Sequence, residues 1–151
     1  MAQVDFGGGT LEPSVDIALL ADAVQASQGK LFVLGGGWDV LTVRSLPARH
    51  PSMGIGLRVR VPWGWPGESV VLEVELQDED GRSVLPGTLK APVPVRRPPH
   101  LPEGQDLTVV RALTFTNIVF REAGAYSFVV SIDGDVKERL RFMVRMRETP
   151  T

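Results

Sequence analysis

From Ser52 to Val61 apolar and polar positions alternate without a break: Met53, Ile55, Leu57, Val59 and Val61 share one face, while Gly54, Gly56, Arg58 and Arg60 share the other. Only a period of two fits this run, as in a strand that buries one side. A second run follows Pro62-Trp63-Gly64-Trp65-Pro66-Gly67, with Val70, Leu72, Val74 and Leu76 inward and Glu73, Glu75 and Gln77 outward. The two runs are expected to form a hairpin in which Leu57 meets Val74 and Arg58 falls opposite Glu73 as an outward ion pair. Residues 84–96 read as a strand interrupted by Pro92 and Pro94, whose missing donors suit a sheet edge. Further strands are expected at 107–119, 124–133 and 136–146, the last two joined through Asp133-Gly134, a tight hairpin signal.

The N-terminal third admits two readings. Residues Ser14 to Gln25 fit a helix with Ser14 as N-cap and Ile17, Leu20, Ala21 and Val24 on one face, but they also alternate as Val15, Ile17, Leu19, Ala21 and Ala23. The strand is preferred because an apolar partner run, Leu31 to Leu34, follows the Gln28-Gly29 turn. Asp78-Glu79-Asp80-Gly81 reads as a turn and not a calcium loop, since no regularly spaced carboxylates follow it. The stretch Glu122-Ala123-Gly124-Ala125-Tyr126, opening the inward set Tyr126, Phe128, Val130 and Ile132, has the spacing of the tyrosine corner of Greek-key sandwiches. The expected fold is therefore all-β: an antiparallel sandwich of seven or eight strands, immunoglobulin-like in topology.

Leu19-Leu20-Ala21-Asp22-Ala23-Val24-Gln25, followed by Gly29-Lys30-Leu31-Phe32-Val33-Leu34-Gly35-Gly36-Gly37-Trp38-Asp39, resembles the opening of an uncharacterised bacterial family of small single-domain proteins of unknown function. The closing stretch from Gly124 to Gly134 is similar too, although its pattern recurs in unrelated sandwiches. The resemblance implies a β-sandwich and a strand over residues 15–24. It implies no activity and carries over no catalytic residue.

Composition sets the outer bounds. With 151 residues, 43% of them hydrophobic and 23% charged, the chain has the make-up and length of one globular domain with a sizeable core. The expected division is a flexible arm over 1–13, including Gly7-Gly8-Gly9, a sandwich over 14–147 and a tail over 148–151. The absence of cysteine removes disulfides, thiolate metal sites and cysteine nucleophiles. His50 and His100 each sit beside proline in expected loops, without further ligands at metal spacing. A net charge of -2 gives no bulk attraction to nucleic acid or anionic membrane, and no leader or spanning segment is read, so a cytoplasmic protein is expected.

Three surfaces remain as candidates. The first, Gly35-Gly36-Gly37-Trp38-Asp39, has the glycines of a phosphate cradle but no following Lys-Ser/Thr and no helix; it reads instead as a bulge that lets Trp38 cover the end of the core. The second, Trp63 and Trp65, flanks a glycine and offers a platform for sugar rings or an apolar partner; in the competing reading one indole folds over the sandwich end. The third is the basic stripe Arg139, Arg141, Arg145 and Arg147, on the face shared with Lys137. It suits phosphates, but lacks interleaved aromatics and reads instead as a charge-protected edge strand, or as a face balanced by carboxylates such as Glu73 and Glu75. No serine sits in a nucleophile elbow, and Glu73 and Glu75 share one strand instead of flanking a cleft. The expectation is thus a module without enzyme activity, cofactor or metal that binds protein or itself as a homo-oligomer, with carbohydrate or small-ligand binding through Trp38, Trp63 and Trp65 as the alternative.

Overall fold

The alternating runs become nine strands in the computed structural model, which describes residues 11–148: β1 (Ser14–Ser27), β2 (Lys30–Gly36), β3 (Val40–Val43), β4 (Ala48–Val61), β5 (Ser69–Asp78), β6 (Leu89–Pro94), β7 (Leu107–Phe120), β8 (Gly124–Ile132) and β9 (Asp135–Met146). They form two sheets, in the orders β2-β1-β4-β7 and β3-β9-β8-β5-β6. The inward sets of β4, β5 and β8 meet between the sheets, where Met53, Ile55, Leu57, Leu76 and Phe128 are completely buried. Phe142 of β9 links the aromatic part of this core, stacking with Tyr126 and Phe128 and meeting Phe120 and Trp38 edge to face. The all-β, immunoglobulin-like sandwich holds. Most of the expected N-terminal arm, including Gly7-Gly8-Gly9, lies outside the described residues, as does most of the 148–151 tail; within 11–13, Pro13 is buried.

Several details differ from the sequence expectation. There are nine strands and not seven or eight, and the second sheet is mixed, because β3 pairs in parallel with β9. This pairing covers β9 over 143–146, so Arg145 does not guard an edge, while Arg139 and Arg141 lie on the stretch of β9 that β3 does not reach. The expected hairpin of β4 and β5 does not form. β4 already has β1 on one edge and β7 on the other, leaving no edge for β5, so the 62–68 connection crosses to the opposite sheet. Arg58 accordingly meets Asp16 and not Glu73, its Nε and Nη2 each 2.9 Å from a carboxylate oxygen. His50 lies in β4 opposite Ile118 and not in a loop.

Other local readings are realised. Residues 14–27 are a strand throughout. β6 is an edge strand, as its prolines require. At the β8–β9 turn, Asp133 and Gly134 both have positive φ, 50° and 88°, the geometry of a type I′ hairpin. Tyr126 Oη donates to the Glu122 carbonyl at 2.6 Å, which completes the tyrosine corner. Burial raises this phenol above its ordinary pKa, and the bond to the Glu122 backbone opposes the rise. The Asp78–Gly81 turn closes on itself, Asp78 Oδ1 accepting the backbone N–H groups of Asp80 and Arg82 at 2.9 Å each.

The β1–β2 hairpin does more than extend its sheet. Its tip, residues 26–29, lies near residues 108–111 of β7 across a cavity of about 370 Å³, although β4 separates β1 from β7 within the sheet. The hairpin therefore leans across the outer face of β4. One glycine there permits the approach: a Cβ on Gly54 would sit 2.6 Å from Val24 Cγ2, whereas one on Gly56 would meet Leu31 Cδ1 at an ordinary 3.5 Å.

Candidate functional site

The exposed apolar side chains concentrate on β2. Phe32, Val33 and Leu34 are 54%, 40% and 73% exposed, and β2 is the outermost strand of its sheet. An edge strand presents unpaired backbone N–H and C=O groups, and folded proteins ordinarily blunt it with charge, proline or cover. Here Leu31 to Gly37 contains no charged residue and no proline. The sequence expectation makes Leu31 to Leu34 the apolar partner run of β1, and β2 does pair with β1; the signal for its exposure is four consecutive apolar residues where a strand with one solvated face would alternate.

The tryptophans do not come together as a platform. Trp63 is outward, 39% exposed, with the Arg97 guanidinium 4.9 Å above its ring and its backbone N–H donating to Asp106 Oδ1 at 3.1 Å. Trp65 is half-buried and packs against the core. Its indole nitrogen would lie 2.8 Å from a Cβ on Gly67, so that glycine makes room for the ring. Trp38 also packs against the core, 6.0 Å from Phe142 between ring centroids. The indole nitrogens of Trp38 and Trp65 are buried without a hydrogen-bond partner. The glycines preceding Trp38 turn the chain: Gly35 and Gly37 have φ of 63° and 85°, and the Gly37 N–H is engaged by the Leu20 carbonyl at 2.8 Å.

The arginines of the basic stripe face solvent. Arg139, Arg141 and Arg145 are exposed along β9, with Phe142 and Val144 turned to the core, and Arg147 is exposed just past the strand end. None of the four lies within 4.0 Å of a carboxylate among the described residues. Glu73 does not balance them, because its carboxylate is 3.8 Å from Lys90 on β6. Arg145 Nε instead donates to Thr42 Oγ1 at 3.2 Å.

Ionisable groups elsewhere serve structure. Asp16 is the extra residue in a bulge of β1, where the pairing with β4 shifts between Val15 and Ile17, and the bulge aims its carboxylate at both Arg58 and Arg60. The hydrogen bond from Arg58 holds the Asp16 carboxyl below the usual carboxylate range, burial opposes this, and Arg60 adds to the lowering. A cavity of about 280 Å³ lies beside the tyrosine corner, lined by Glu79, Arg82, Arg121 and Glu122 among others. No group of three or more His, Asp or Glu among the described residues is placed to hold a metal. No described helix is long and apolar enough to cross a membrane.

Residues 16–145 match a family of unknown function. No curated protein matches the chain in sequence. Among solved structures, an alkylpurine DNA glycosylase of Pseudomonas fluorescens bound to DNA with an abasic site analog is similar at 10% identity and TM-score 0.41, over 91% of this chain and 32% of that one. A β-glucuronidase from glycoside hydrolase family 2 is similar at 13% identity and TM-score 0.34, over 92% of this chain and 11% of that one. An immunoglobulin-like protein from Pseudomonas aeruginosa is similar at 14% identity and TM-score 0.37, over 91% of this chain and all 100% of that one. The chain thus spans less than two thirds of the glycosylase and of the glucuronidase, and none of the three is alike enough for its activity to bear on this one.

Proposed function

Because the chain belongs to DUF6941, a family of unknown function matched over residues 16–145, we propose its role from the surface it presents: a non-enzymatic protein-interaction module that adds an extended apolar segment of another protein to the edge of β2. The observation that carries this reading is the exposure of Phe32, Val33 and Leu34 on an outermost strand whose one charge, Lys30, stands at its start. Strand addition uses the two things β2 leaves unpaired among the described residues, its outer row of backbone groups and side-chain anchors on alternate positions. The reading of Trp63 and Trp65 as a sugar platform has less support, since Trp65 packs against the core and Arg97 occupies a face of Trp63.

Selection from a displayed library of extended seven- to ten-residue peptides tests the idea. Peptides that bind the wild-type chain are expected to weaken about tenfold or more against Phe32→Lys and Leu34→Lys, since each apolar anchor contributes roughly 1.5–3 kcal/mol when buried. Peptides that bind both variants as well as the wild type would show that β2 is not the contact.

A further inference from the structure

Beyond the β2 edge, the outer face of the β9-β8-β5 sheet carries a charge pattern that the strand register makes explicit. Along β9 the outward charged residues are all basic, Arg139, Arg141 and Arg145. Along β8 the residues on this side are small or apolar, Ala125, Ser127, Val129 and Ser131, with Val129 itself only 6% exposed. Along β5 the outward charged residues are Glu73, paired with Lys90 of β6, and Glu75, which has no such partner among the described residues. Val129 pairs with both Arg139 and Glu75, and Ser127 with both Arg141 and Gln77, so each pair of flanking residues lies at one height. Two strand spacings, about 10 Å, separate the positive column from the negative one. None of Arg139, Arg141 and Glu75 has an ion-pair partner within 4.0 Å among the described residues.

A row ordered positive, neutral, negative, as Arg139, Val129 and Glu75 are, is its own complement. A two-fold axis lying over β8 and parallel to it exchanges left and right at constant height, so Arg139 of each copy stands over Glu75 of the other, twice. The other in-plane two-fold, running across the strands, lays β9 on β9 and opposes like charges. The pattern thus favours one symmetric arrangement and disfavours the competing one. It also argues against unlike partners: a polyanion drawn to β9 meets Glu75 and Glu73 two strands away, and a polycation drawn to β5 meets the arginines.

We infer that this face is a docking surface for a second copy of the chain, held by reciprocal Arg139–Glu75 pairs across the two-fold. Three strands of about eight residues present roughly 400 Å² per copy, about half the usual share of a stable interface. The dimer is therefore weak and salt-sensitive, and it uses a surface separate from β2.

Sedimentation velocity of the full chain at low ionic strength and high concentration tests this. The wild type should approach twice the monomer mass and dissociate as salt rises, with the dissociation constant increasing about tenfold between roughly 0.01 and 0.15 M, as the screening length shortens from about 30 to 8 Å. Arg139→Glu alone and Glu75→Arg alone should each be monomeric. An equimolar mixture of the two should associate again, because in the mixed dimer the introduced glutamate of one copy stands over the introduced arginine of the other, while the second contact keeps its wild-type pair. A wild type that stays monomeric, or a mixture no more associated than its components, overturns the inference. So does a dimer that survives both reversals and is lost in Phe32→Lys; that result would place self-association on β2, whereas a charge-sensitive dimer without peptide binding would remove the β2 reading and leave this one.

Discussion

At Gly54 an added Cβ would lie 2.6 Å from Val24 Cγ2, whereas at Gly56 the nearest atom would be Leu31 Cδ1 at 3.5 Å, an ordinary contact. Val24 is β-branched and holds few rotamers, so it cannot swing aside without moving the hairpin backbone. Gly54→Ala is therefore expected to destabilise by about 1–3 kcal/mol. Gly56→Ala should stay within about 1 kcal/mol of wild type, on the stabilising side, because alanine narrows the unfolded ensemble. Urea midpoints at unchanged m-value measure both; equal loss in the two would refute the close packing of Val24. The sequence shows both glycines on the outward face of β4, but a solvated face and a covered face give the same alternation. What distinguishes them is an object folded over that face, and no local residue encodes it.

Pairing partners show the same limit at the scale of elements. The two-residue period of β4 and β5 follows from one-sided burial and is legible in the sequence, as are the Asp133-Gly134 turn and the edge position of β6, because each rests on local backbone chemistry. The partner of β4 is not legible in the same way: a hairpin with β5 and a crossing between sheets bury the same inward residues, and only β1 and β7 on both edges of β4 decide between them. Asp16 helps hold β1 there, through carboxylate contacts of 2.9 Å to both Arg58 and Arg60. Its carboxyl is held below the ordinary value of 3.8, so it binds protons more weakly folded than unfolded. The stability it contributes is present above that ordinary value and is lost as pH falls through the lower folded one. Asp16→Asn should cost about 1 kcal/mol at neutral pH, the upper end for partly exposed pairs. That difference should shrink toward zero as acid denaturation curves of the two proteins are followed below about pH 4; a constant difference would mean the side chain acts through shape and not charge.

The order of strands in each sheet governs how the whole molecule comes apart. One sheet takes β1, β2, β4 and β7, and the other takes β3, β5, β6, β8 and β9, so neither is a continuous stretch of chain. Each must wait for connections that run through the other. Both also share one core, in which Phe115 of β7 meets Phe128 of β8 at 5.0 Å and Phe120 of β7 meets Tyr126 of β8 at the same distance. Losing one sheet would expose the inner face of its neighbour, and no partly folded form keeps much buried apolar area. Unfolding is therefore expected to be a single transition, with tryptophan fluorescence, reporting Trp38 and Trp65 against the core, tracking far-UV circular dichroism at one midpoint. Refolding should fall in the millisecond-to-second range that non-local strand pairing imposes. The β1–β2 hairpin is the place where this cooperativity is most exposed to test. Among the described residues β2 pairs only with β1, over residues 21–27 of that strand, and contributes no residue to the buried core cluster. If it opens separately, amide exchange will show β2 protected less than β4 in an otherwise native chain, and its outer edge is then presented by an element that can adjust to the strand it receives.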